Sequence, residues 1–152
     1  SSGMPDLTGL SISDVATATN ITLAADTISV INYTGAAAAT CTLPAATAGT
    51  IVVYCQSKDT TGGTATLVFD AAGSDVWATG SVIESRASNE VTFDTSAASE
   101  TKLTFTPANA ATNLLTTGGQ IAFICYEDAT WHIATKLAAE TTQVTGAFVF
   151  AA

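Results

Sequence analysis

Basic side chains are scarce in this 152-residue chain: Lys58, Arg86, Lys102 and Lys136 stand against thirteen Asp and Glu, a formal charge of −9. Nucleic acids are gripped by clustered Lys and Arg that neutralise phosphates, so no nucleic-acid partner is expected. Long apolar runs are missing as well. Hydrophobic residues make up 47% of the chain, but they come in short runs broken by Thr, Ala, Gly and Ser. None approaches the roughly 20 residues of a membrane-crossing helix, and no membrane partner is expected. Almost nothing carries the i, i+3, i+4 stripe of an amphipathic helix. No basic segment followed by an apolar stretch opens the chain, and residues 1–3 read as a cloning remnant before Met4, the expected native start.

The three cysteines, Cys41, Cys55 and Cys125, lack the C-x-x-C spacing of a zinc or redox site. Each sits in an apolar alternation, where a thiol packs as a small hydrophobe. Cys41 and Cys55 flank a turn, and a disulfide between them across a hairpin is the alternative to three buried thiols. Histidine occurs once, at His132 between Trp131 and Ile133, and no G-x-S-x-G elbow accompanies any serine. A nucleophile, base and orienting acid are therefore not in evidence. Glu127-Asp128 is a carboxylate pair, but it precedes Ala129 and Thr130 at an expected hairpin turn, where Asp is a favoured turn residue. Asp70 and Asp75 bracket Gly73 without the ligand series of an EF-hand. No catalytic, cofactor-binding or metal-ligating residue is assigned, and no enzyme is expected.

What the chain does carry is a two-residue period. Ile21 and Leu23 alternate with polar neighbours, and Ile28 and Val30 alternate with Thr27, Ser29 and Ile31. Residues 40–43, 51–55, 64–69, 92–93, 101–106, 119–126, 130–136 and 144–150 supply further β segments. Proline and glycine punctuate them: residues 44–50 form a turn, and Gly62-Gly63 separates two strands. Stiff β-branched Thr suits such pleated surfaces. The expectation is an all-β fold, a single compact β-sandwich or β-barrel-like domain of about nine or ten short strands over residues 20–152. No repeat of constant period argues for a regular solenoid. Residues 1–19 read as an N-terminal arm, since Leu7, Leu10 and Ile12 are too few to fold residues 5–19 alone. Trp131 reads as core, and Trp77, near Gly73 and Gly80, is the candidate ligand-facing aromatic.

The run Thr42-Leu43-Pro44-Ala45-Ala46-Thr47-Ala48-Gly49-Thr50-Ile51-Val52-Val53 resembles the strand, Leu-Pro turn, Gly and strand element of bacteriophage virion proteins, both tail-fibre modules and capsid decoration (cement) proteins. A Thr-rich strand over residues 64–69, a small-residue turn over residues 71–75, Gly80 and a late Trp131 extend the likeness across about residues 27–137. The resemblance implies a trimer that binds the major capsid protein at the virion surface after assembly in the host cytoplasm, and it transfers no catalytic residues. The length from Met4 leaves room for one β domain and a short arm, which favours capsid decoration over a tail-fibre or receptor-binding domain recognising host glycans. A stand-alone carbohydrate-binding module is the third alternative. Pro5, Asp6, Leu7, Leu10 and Ile12 are the expected capsid-attachment residues. Phe148, Val149 and Phe150, an apolar strand near the terminus, are the expected oligomer contacts.

Overall fold

A computed structural model describes residues 11–13, 19–60, 63–86, 91–107, 115–134 and 148–152, with side chains undescribed at 84–86 and 91–93. The first seven strands are β1 (Ser11–Ile12), β2 (Asn20–Thr22), β3 (Thr27–Ile31), β4 (Ala39–Thr42), β5 (Ile51–Gln56), β6 (Leu67–Asp70) and β7 (Val76–Trp77). They alternate strictly between two sheets, so that β1, β3 and β5 pair in parallel in one while β2, β4 and β6 pair in parallel in the other. The chain is thus wound as an irregular coil. Partners in neighbouring turns are Ser11 and Thr27, Thr27 and Val52, Asn20 and Thr40, and Ala39 and Leu67. These offsets differ from turn to turn, so the winding leaves no period in the sequence.

The rest of the chain widens both sheets with antiparallel strands, and a hairpin of β8 (Val82–Arg86) and β9 (Val91–Thr95) stands apart as a third sheet. Next come β10 (Lys102–Phe105), β11 (Gln120–Glu127), β12 (Thr130–Ile133) and β13 (Phe148–Ala151). The six-stranded sheet runs β1-β3-β5-β11-β12-β7, and the five-stranded sheet runs β13-β10-β6-β4-β2. The all-β expectation holds, with thirteen strands rather than nine or ten and no helix among the described residues. The surplus is β1, β7 and β8: the first two are two residues long, too short to show a period, and β8 (Val82–Arg86) is a strand that the sequence reading left unassigned.

The two sheets face each other across an aromatic core. Tyr54 of β5 meets Phe69 of β6 edge-on at 5.0 Å, Phe69 meets Phe123 of β11 at 5.4 Å, and Trp77 of β7 meets Phe150 of β13 at 6.0 Å. The inward set follows from alternation: Ala39 and Cys41, Leu67 and Phe69, Leu103 and Phe105, and Ile121, Phe123 and Cys125 are all buried. A buried amide sits among them. Gln56, fully buried, accepts from Tyr54 Oη at 2.5 Å through Oε1, and its Nε2 donates to Tyr33 O at 2.7 Å and Lys58 O at 2.6 Å. Its hydrogen-bonding capacity is thereby met, which a buried amide requires.

Two expectations change. Residues 44–50 do not close a hairpin: they carry the chain from the five-stranded sheet to the six-stranded one, so Cys41 and Cys55 lie in different sheets and all three cysteines are free thiols. Within the expected arm, Ser11–Ile12 forms β1 on the edge of the six-stranded sheet. There Ser13 N–H donates to Ile28 O at 3.0 Å and Ser13 Oγ accepts from Val30 N–H at 3.1 Å.

Candidate functional site

The outer faces of the two sheets differ in chemistry. On the five-stranded sheet the outward positions are Asn20, Thr22, Thr40, Thr42, Val68, Asp70, Lys102, Thr104, Val149 and Ala151, a mostly polar, Thr-rich surface. On the six-stranded sheet the registers set Ile12, Ile28, Val53 and Ala122 in one row, Val30, Cys55 and Gln120 in a second, and Ile51, Ile124 and His132 in a third. No charged side chain stands in these rows. The strands beneath them, Ile51-Val52-Val53-Tyr54-Cys55 and Ile121-Ala122-Phe123-Ile124-Cys125, read as continuous apolar runs, the signature of strands with apolar surface on both faces. Ile12 is 73% exposed, Gln120 is exposed and the neighbours are half-buried, apart from Val53, which is buried.

Acidic side chains pin the main chain of loops and strand ends. Carboxylate oxygens of Asp26, Asp75, Asp128, Asp59, Glu100 and Asp94 accept from the main-chain N–H of Ile51, Ala46, Ala48, Thr117, Ala97 and Phe150, at 2.6–3.2 Å. At Asp59 the N–H and hydroxyl of Thr117 hold the carboxyl below its usual range. Asp128, expected in the β11–β12 turn, is there, with Ala129 at φ 65° completing it. Asp75, weighed as a calcium ligand, is engaged with Ala46, and no group of metal-ligating side chains gathers among the described residues.

A cleft of about 450 Å³ opens beside the free end of β7, lined by residues 78–82 together with His132 and Ile133. Its wall is held by a buried serine. Ser96, 3% exposed, donates through Oγ to Ala78 O at 2.6 Å and accepts from Ser81 N–H at 2.9 Å, while Gly80 N–H donates to Ser96 O and Ser96 N–H to Ser81 O, each at 2.9 Å. Gly80, at φ 84°, turns the chain where a side chain would be strained. Outside the cleft, next to His132, β11 carries a bulge opposite β12, so that Cys125 and Tyr126 are set against Trp131. Bulges re-aim side chains: Tyr126, 67% exposed, meets the His132 ring edge-on at 4.7 Å.

Comparison with known proteins finds no matching family model, no matching curated protein and no matching solved structure.

Trp77, the candidate ligand-facing aromatic, is 1% exposed and packs on Phe123 at 5.4 Å and Phe150, so it presents no face to a ligand. Its position in the short β7 points it inward, beside Trp131, which is core as expected. Phe148 and Phe150, expected at an oligomer contact, also point into the core, because β13 pairs with β10 and presents alternate residues inward; only Val149, 45% exposed, faces out. Pro5, Asp6, Leu7 and Leu10 lie outside the described residues, and Ile12 is on the apolar outer face. Sequence reasoning missed Tyr126 as an exposed aromatic: alternation along β11 carries it outward with Ala122 and Ile124, but in an apolar run that alternation does not show which face is covered.

Proposed function

We propose that this chain is a non-catalytic structural protein of a bacteriophage virion, a capsid decoration protein that self-associates, with a trimer expected, and holds to the major capsid protein at the virion surface. The observation that carries the reading is the uncharged apolar outer face of the six-stranded sheet. Copies that each carry −9 repel, and a face from which acidic side chains are missing is where a second copy approaches at the lowest electrostatic cost while removing apolar area from water. The occupant is therefore a second copy of this chain. Ile12 stands at the edge of the same face, and attachment through Pro5, Asp6, Leu7 and Leu10, which precede it in the sequence, would be repeated in each copy. Repeated weak contacts gain avidity on the order of 10² to 10⁴.

The test is light scattering of the full chain and of Ile12→Glu/Val30→Glu over micromolar concentrations, followed by sedimentation of each with phage capsids. Wild type should give a multiple of the chain mass and co-sediment, and the charged variant should give the chain mass and decorate poorly. A wild-type chain that stays monomeric and ignores capsids overturns the proposal.

A further inference from the structure

The geometry points to a second binding site in the cleft between residues 78–82 and β12, built for one ring of a neutral glycan. The site shares no residue with the apolar rows that carry self-association except His132 at their edge, and it does not depend on the decoration role.

Its volume of about 450 Å³ lies in the range typical of small-ligand sites, about 300–1,000 Å³. The wall over residues 78–81 is preorganised, since the buried Ser96 fixes it from behind through its hydroxyl and both main-chain groups. Preorganisation lowers the ordering cost of binding a weak, polar ligand.

A main-chain donor faces the same space. In the antiparallel β11–β12 ladder, His132 lies opposite Ile124 and Ala134 N–H bonds Ala122 O, an alternation that turns the main chain of Ile133 away from β11 and toward β7. The parallel β7–β12 ladder runs through Val76 N–H to Ala129 O and Ala78 N–H to Trp131 O. The rung that would follow, Ile133 N–H to Ala78 O, is not formed among the described residues. Ala78 O is instead taken by Ser81 N–H, Ser81 Oγ and Ser96 Oγ.

The polar lining is thus an exposed Thr79 hydroxyl, the His132 imidazole and the Ile133 N–H. Beside them the Tyr126 ring is held against His132 with most of its surface in water. A hydroxyl, an imidazole, a main-chain N–H and a flanking aromatic ring match a sugar, whose hydroxyls exchange hydrogen bonds while its C–H face lies on the ring. Among the described residues no Lys or Arg lines the cleft, so the chemistry there selects neutral sugars over acidic ones.

Saturation-transfer NMR on the full chain tests this with the methyl glycosides of glucose, galactose, mannose and N-acetylglucosamine, and with N-acetylneuraminic acid as the anionic comparator. At least one neutral glycoside should receive magnetisation and the anionic sugar should not. Tyr126→Ala should weaken binding about tenfold or more, Thr79→Val several-fold, and Tyr126→Phe should retain it; Tyr126 is exposed, so these variants keep the fold, checked by circular dichroism. The Ile12→Glu/Val30→Glu variant should bind the sugar like wild type, which separates this site from self-association. Transfer to none of the four neutral glycosides overturns the proposal, as does wild-type binding by Tyr126→Ala or preference for N-acetylneuraminic acid.

Discussion

Replacing Gln56 by Leu isolates the hydrogen bonds of a fully buried amide. The side chains are close in volume, so the change creates little cavity, but it strands two buried partners: Tyr54 Oη loses its acceptor at 2.5 Å and Tyr33 O its donor at 2.7 Å. The third partner, Lys58 O, belongs to an exposed residue and can turn to water. A buried group left unsatisfied costs about 1–3 kcal/mol, and the apolar Leu offsets about 1 kcal/mol of the two. A net loss of about 3 kcal/mol is expected, a large share of the 5–15 kcal/mol typical of a domain. With a urea slope of about 2 kcal/mol/M, the unfolding midpoint should fall by about 1.5 M at unchanged slope. Tyr54→Phe in the Gln56→Leu background removes one stranded group and should recover about 1 kcal/mol, although Tyr54→Phe alone destabilises; the two changes share one hydrogen bond and so are not additive. A midpoint shift below about 0.3 M, or strict additivity of the pair, would falsify the assignment of this network.

Gly63→Ala should cost more than Gly49→Ala, although both glycines have φ near +90° (89° and 91°). A Cβ at Gly49 meets nothing within 4 Å, so only the backbone term of about 1 kcal/mol applies there, whereas a Cβ at Gly63 lands on Gly35 O and at 3.1 Å from Ala36 Cα. Thermal melts ranking the two variants equally would contradict the close approach of these loops. Alkaline pH should also destabilise the fold. Burial pushes the Cys41 thiol up to about 12 and the Tyr33 and Tyr54 phenols still higher, for Tyr54 with help from neighbouring Cys41, Tyr33 and Cys55. Folding therefore favours their neutral forms. Their contribution is complete below the unfolded values of about 8.5–10 and is lost as pH rises from there through the folded values. Urea midpoints should fall between about pH 8 and pH 11, less steeply in Tyr54→Phe; a flat profile would remove these groups from the core.

Local pattern settled several features without help from the rest of the chain. Strict alternation in Thr40-Cys41-Thr42-Leu43 and Trp131-His132-Ile133 placed Cys41, Leu43 and Trp131 inward and His132 outward, and the structure has them so. Asp128 belonged to a turn because its side chain suits one, wherever the flanking strands went. Alternation has a limit, however: in β3 both faces carry Ile or Val, and it is Ser29 and Ile31 that face the core while Ile28 and Val30 face out.

Tertiary structure alone decided how strands are shared between sheets. Parallel pairing joins residues separated by whole turns of the coil, such as Ala39 with Leu67, and the unequal offsets carry no local signal. That winding sent Cys41 and Cys55 to different sheets and turned Trp77 into core. It likewise made the cleft, whose walls come from residues 78–82 and from β12, held by Ser96 through hydrogen bonds that any serine could make. Side-chain periodicity reports which residues prefer to leave water; which distant strand supplies the covering surface depends on pairings between segments that contact each other only once the chain has folded.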